Sequence, residues 1–161
     1  MGTTERLAHR DIVPGLVSVV LPVKNGERFI GSALDSVQRQ TYGNHEILVV
    51  DGNSSDRTDE IVKSFSGVLW IPQETGGVTE GFNTGVRASR GEFVAFISHD
   101  DLWEPTKLER QVEVFQQCPE VALSATRFYE QVPGQQRREP GDDRGELSRP
   151  GPQTGPRSRG P

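Results

Sequence analysis

A single cysteine, Cys118, stands among 161 residues, so no intrachain disulfide can form, and the composition fits a reducing compartment. No apolar run approaches the roughly 20 residues needed to cross a bilayer. The stretch from Met1 to Asp11 is polar and lacks the apolar centre of a secretory signal, so the simplest address is cytoplasmic. Excess positive charge is also missing. The formal net charge is −5, and the residues before Gln131 carry 12 basic against 19 acidic side chains. A phosphate backbone is normally met by a basic face, so nucleic acid is excluded as the main partner. No G-x-G-x-x-G and no G-x-x-x-x-G-K-[ST] occur, which excludes the two common glycine-rich phosphate loops. Neither H-E-x-x-H nor a paired-cysteine motif points to zinc.

Short apolar segments alternate with helical patterns along the chain. Val17-Ser18-Val19-Val20-Leu21, rich in β-branched residues and ending at Pro22, reads as a first strand. Asn25-Gly26 makes a turn. Phe29, Ile30, Ala33, Leu34 and Val37 recur at helical spacing, which predicts a helix from about Glu27 to about Gln40. Glu46 to Val50 is a second strand ending on Asp51. A polar loop through Asp56, read as an N-cap, opens a short helix from about Arg57 to Phe65. Val68 to Ile71 is a third strand, and Thr79 is expected to cap a helix ending near Gly91. Phe93 to Ile97 reads as a fourth strand buried on both faces. Pro105 suits the first turn of a further helix, and Val121 to Ala125 is expected to open a fifth strand. Strands and helices alternating over short connections predict an α/β fold with a mostly parallel sheet.

In such sheets ligands bind outside the carboxyl ends of the strands. Those ends are Pro22 to Glu27, Asp51 to Asp56, and Ser98 to Asp101, so polar and acidic groups gather on one rim. The fourth end matters most, because Phe93 to Ile97 stops abruptly at the adjacent carboxylates Asp100 and Asp101. Two such groups are either solvated caps of a turn or neutralised by a cation. Mg²⁺ and similar hard ions take carboxylate oxygens and complete their shell with water and substrate phosphate. An anionic ligand on this acidic rim would need such a bridge.

Four segments in order, Val17 to Glu27, Ile47 to Asp56, Gly81-Phe82-Asn83-Thr84-Gly85, and Gly91 to Asp101, resemble a family-2 glycosyltransferase of the GT-A fold. The likeness covers roughly Leu16 to Phe128. It implies inverting transfer of a sugar from a nucleotide diphosphate donor, most often a UDP-sugar, to a glycan or lipid-linked acceptor, with Mg²⁺ or Mn²⁺ as cofactor. Peripheral association with the inner face of a membrane is compatible with such an acceptor. By the same resemblance, Pro22, Asn25 and Glu27 line the base pocket, and Asp51 contacts base and ribose. Asn83 lies near the donor, Asp100 meets the ribose and Asp101 the metal, as the last two residues of a D-x-D-type motif whose first acid is here Ser98. Lys24 stands where the family often has an aromatic residue, and Phe82 where many members have Arg.

Other polar residues have plainer readings. His99 is expected to be an exposed turn residue, Cys118 filler near a helix end, and Trp103 either a wall of the sugar site or packing beneath the next helix. The segment 131–161, with Val132 and Leu147 its only aliphatic residues beyond Gly and Pro, cannot bury enough apolar surface to order, so disorder is expected. The abrupt change of composition after Glu130 suggests a truncated or out-of-frame reading of a longer gene. In the family the general base lies beyond the D-x-D region, and no catalytic base is assigned here. The alternative function is therefore a nucleotide-sugar-binding fragment without turnover.

Overall fold

The computed structural model describes residues 11–73 and 75–126. They fold as β1 (Val13–Val23), α1 (Ile30–Gln38), β2 (His45–Asp51), α2 (Thr58–Ser64), β3 (Val68–Pro72), α3 (Gly77–Ala88), β4 (Gly91–Phe96) and α4 (Lys107–Gln117). The four strands form one parallel sheet in the order β3-β2-β1-β4. The GT-A-like α/β architecture read from the sequence is the one observed. The order reverses at β1, and the crevice outside its carboxyl end is where such sheets hold ligands.

Alternation along β1 sorts the layers. Val17, Val19, Leu21 and Val23 join the core formed with α1, α2 and α4, including Leu34, Val62 and Leu108. Val20 and Pro22 point to the other face, beneath α3. That helix carries Gly81 and Gly85 one turn apart on the face toward β1, and their lack of side chains is what lets it lie close. A Cβ at Gly85 would stand 2.2 Å from Val20 Cγ1, and one at Gly81 would stand 2.8 Å from Pro22 Cβ.

Proline inside a central strand removes a ladder donor. Val20 accepts from Ile97 N–H, and Val23 accepts from Gly52 N–H on the opposite side. Alternation therefore turns the missing donor of Pro22 toward β4, just past the last β1–β4 pair, Val20 with Phe96. The ladder ends there and the chain after β4 is free to leave the sheet, so Pro22 helps open the crevice.

At the amino end of the sheet the fully buried Ser18 donates to Glu46 Oε1 at 2.7 Å and accepts from Gly91 N–H at 2.8 Å. Glu46 also accepts from the backbone and guanidinium of Arg90. Partial burial pushes the Glu46 carboxyl up, but the hydrogen bonds from Ser18 and Arg90 outweigh it and hold it below the ordinary carboxylate range. This knot ties β1, β2 and β4 in register at the end opposite the crevice.

Several expectations are corrected. β4 is buried on one face only. Phe93 stacks on Phe115 of α4 at 5.2 Å, whereas Val94 and Phe96 are 37% and 50% exposed. The cause is its edge position, since α3 lies over β1 and meets Phe96 through Phe82, edge to face at 5.3 Å. Residues 121–126 form no strand. Helix α1 begins at Ile30 because Phe29 and Ile30 N–H close a turn onto Gly26 first. Thr79 is inside α3, whose N-cap is Gly76 at φ +110°. The expected disorder of 131–161 falls outside the described residues. Among the described residues, no helix is long and apolar enough to cross a membrane.

Candidate active site

The carboxyl ends of β1 and β2 continue into two loops that brace each other. Asn25 and Asn53 both take positive φ, +53° and +60°, a conformation asparagine tolerates better than most residues. Asn25 N–H donates to Ser54 Oγ at 2.8 Å, and Asn25 Oδ1 accepts from Ser55 N–H at 2.9 Å. Gly26 N–H donates to Thr58 Oγ1, and Glu27 N–H to Asp56 Oδ2. Glu27 Oε2 accepts from Arg57 N–H at 3.2 Å. The polar groups of Asn25 and Glu27 are thus brought to the rim, and both also fix the shape of the second loop.

Asp56 Oδ1 accepts from the N–H and hydroxyl of Thr58, the first residue of α2, although the N-cap position itself is Arg57. Lost hydration raises the Asp56 carboxyl, but the bonds from Thr58 and Glu27 dominate and keep it below the ordinary range. The expected capping role therefore survives one residue upstream, joined to a bridge between loops.

Asp51 is 4% exposed at the last register position of β2, opposite Val23. Its Oδ1 accepts from Ser54 N–H at 3.1 Å and Ser54 Oγ at 2.5 Å. A carboxylate buried to this degree is retained only where polar partners hold it. The next strand end supplies Gln73, whose N–H donates to Asp51 O and whose Nε2 donates to Thr75 O at 2.7 Å and Gly77 O at 3.0 Å. Gln73 shapes the turn that launches α3. Gly76 and Gly77, at φ +110° and +65°, provide the left-handed backbone of that turn.

These ends enclose an open cleft of about 430 Å³, lined by Pro22, Lys24, Gly52, Gln73, Gly81 and His99 among others. That volume lies in the usual range for small-molecule sites. His99 is a correction to the exposed-turn reading. It is half-buried, and Gly26 leaves room for its ring, since a Cβ there would stand 2.9 Å from His99 Cδ2. Asp100 and Asp101 follow in a turn closed by Asp101 N–H to Ser98 O at 3.1 Å. Both are exposed, and no described side chain pairs with either carboxylate. Asn83 lies on α3 beyond the lining residues, exposed, donating to Glu80 Oε2 at 3.3 Å. Trp103 is half-buried and packs against the core: its backbone N–H donates to Ser36 Oγ, and the Lys107 ammonium lies over its ring at 4.2 Å. Burial lowers Lys107 to about 8.

Among the lining residues, Gln73 was passed over by sequence reasoning, while Lys24 and His99 lay in the expected rim segments without an assigned role. Gln73 follows directly on β3, so the carboxyl-end rule applied to all four strands picks it out.

The family model for glycosyl transferase family 2 matches residues 18–160. The chain belongs to that family. A curated relative, the UDP-Glc:α-D-GlcNAc-diphosphoundecaprenol β-1,3-glucosyltransferase of Escherichia coli, is 38% identical over 102 residues, 62% of this chain and 40% of its own. Among solved structures, Staphylococcus aureus TarS 1–349 in complex with UDP aligns with a TM-score of 0.60 at 28% identity, covering 63% of this chain and 32% of that one. Glucosyl-3-phosphoglycerate synthase of Mycobacterium tuberculosis, in complex with Mn²⁺, UDP and glucosyl-3-phosphoglycerate, aligns at 0.51 and 29% identity, covering 63% and 39%. The chain spans about a third of the length of the first curated relatives it matches. As a family-2 glycosyltransferase, it presents a GT-A-type sheet whose strand ends surround the cleft.

Proposed function

We propose that the cleft binds a nucleotide diphosphate sugar, with UDP as the nucleotide, and that the chain forms the donor-binding part of an inverting, metal-dependent glycosyltransferase. The observation that carries this is the convergence of all four strand ends on one cleft, with the exposed carboxylates of Asp100 and Asp101, which are not themselves lining residues, in the turn that directly follows its lining residue His99. UDP in the TarS and synthase complexes and in the name of the E. coli enzyme supports the choice of nucleotide. The last name also supports a lipid-linked acceptor, and with it a site of work at the inner face of a membrane.

The donor set fits a hard divalent cation. Two exposed carboxylates offer oxygen ligands, and among the described residues no third His, Cys, Asp or Glu closes a protein cage. Mg²⁺ or Mn²⁺ held by Asp101, with water and diphosphate completing its shell, is the arrangement such ions favour. The ion would act as a Lewis acid toward the departing nucleoside diphosphate. Asp51 would receive ribose or base, Asp100 the ribose, and Pro22, Asn25 and Glu27 would shape the base end, with Asn83 near the sugar.

Transfer also needs a base within about 3 Å of the acceptor hydroxyl. Of the described acids after the metal turn, Glu104, Glu109, Glu113 and Glu120, none lines the cleft, and Glu109 accepts from Thr41 Oγ1 at 2.8 Å. This favours, as the second reading, donor binding without turnover by the chain as given. Calorimetry of UDP in Mn²⁺ and in excess chelator tests the donor site. Affinity should fall at least tenfold in chelator, and Asp101→Ala should remove the difference, as expected for one charge-assisted contact set. Equal affinity in both conditions would refute the metal assignment. Steady UDP release from a UDP-sugar with acceptor present would refute the second reading.

A further inference from the structure

We infer that Lys24 is the base-selecting residue of the cleft, favouring a nucleotide whose base presents a keto oxygen over one that presents an amino group there. This rests on the donor-site reading above. Among the described lining residues, Lys24 is the one Lys or Arg, and no described acid pairs with it. Its place is set by a missing side chain. Lys24 Cβ and Cδ lie 3.5 and 3.7 Å from where a Gly52 Cβ would stand, so the stem rests on the end of β2.

Strand order decides which part of a nucleotide it meets. Gly52 follows β2, and the Asp100–Asp101 turn follows β4, on opposite sides of β1. Two strand spacings separate them, on the order of 10 Å. Diphosphate bridged to the acids by a cation would therefore leave the base on the β2 side, over Gly52 and beside the buried Asp51. An ammonium only donates hydrogen bonds. Uracil offers acceptor oxygens at both carbonyls, whereas cytosine has a donor amino group in place of one. The other long polar side chain on this wall is already engaged, since Gln73 Nε2 donates to two backbone carbonyls. Lys24 is exposed, so with cytosine its ammonium returns to water and the discrimination is the loss of one charge-assisted hydrogen bond.

The test is calorimetry of UDP, CDP and inorganic pyrophosphate, each with Mn²⁺, on the whole chain and on Lys24→Met and Lys24→Arg. Lys24→Met keeps the stem and removes the donors. The wild type should prefer UDP to CDP by about tenfold to a hundredfold. In Lys24→Met this preference should collapse while pyrophosphate affinity is unchanged, and Lys24→Arg should restore most of it. An unchanged preference in Lys24→Met would overturn the assignment while leaving the donor site intact. Parallel loss of UDP and pyrophosphate would also overturn it, by moving Lys24 to the phosphates. A wild type that binds none of the three would overturn both this inference and the donor-site reading.

Discussion

Adding one methyl group at Gly85 should loosen the helix that forms one wall of the cleft. The new Cβ would stand 2.2 Å from Val20 Cγ1 and 3.0 Å from Cγ2, against an ordinary carbon contact of about 3.5 Å, so a shift of about 1.3 Å is required. Val20 is fully buried in a central strand, and its β-branched side chain has little rotamer freedom to give way. The helix must therefore retreat, with an overpacking penalty of about 2 to 3 kcal/mol. Alanine returns about 1 kcal/mol through its better helix propensity. The net expectation is destabilisation by about 1 to 2 kcal/mol, or a fall of about 1 M in the urea midpoint at unchanged slope. Gly31→Ala is the control. Its Cβ would lie 3.6 Å from Ile61 Cγ2, an ordinary contact, so it should be neutral or stabilising by about 0.4 to 1 kcal/mol. Urea unfolding followed by circular dichroism reads both. A Gly85→Ala midpoint at or above the wild type, or equal shifts in the two variants, would refute the close-packing account of α3.

Glu46→Gln should lose stability at neutral pH, with the loss fading in acid. The folded-state pKa of Glu46 lies below 4.5, so its contribution is present above that value and disappears as pH falls through the folded pKa. Unfolding curves of the two proteins should therefore differ at pH 7 and converge well below 4.5, and a constant gap would contradict the knot. Asp51→Asn should weaken UDP by about tenfold or more while sparing pyrophosphate, as expected for loss of one charged hydrogen-bond acceptor near the base. Equal loss of both ligands in calorimetry would instead mark a disturbed fold.

Most of the architecture is written in local pattern. The β-branched runs of β1 and β2, the helical spacing from Ile30 to Val37 and the turn at Asn25-Gly26 all appear where the sequence puts them. What failed depends on neighbours. Phe93 to Ile97 reads as buried on both faces because its residues are apolar, but burial is set by what covers a strand, and β4 lies at the sheet edge. The Thr79 cap was misplaced because the left-handed backbone of Gly76 and Gly77 starts α3 three residues earlier. At the site, the acids at strand ends were legible from position alone. The engagement of Asn25, Glu27 and Asp56 with each other's loops was not, because those bonds join residues about 30 apart in sequence. His99 was likewise hidden, since its ring lies beside Gly26, far away in sequence.

The central claim, that UDP and a divalent cation share the cleft at the strand ends, is met most directly by an amide NMR titration of the isotopically labelled chain. With UDP and Mg²⁺, shifts should concentrate at Val23 to Gly26, Gly52 to Ser54 and Gln73 to Gly77. Replacing Mg²⁺ with paramagnetic Mn²⁺ should broaden signals in a sphere centred on His99 to Asp101. Shifts and broadening at the opposite end of the sheet, around Ser18, Glu46 and Arg90, or no saturable change at all, would contradict it.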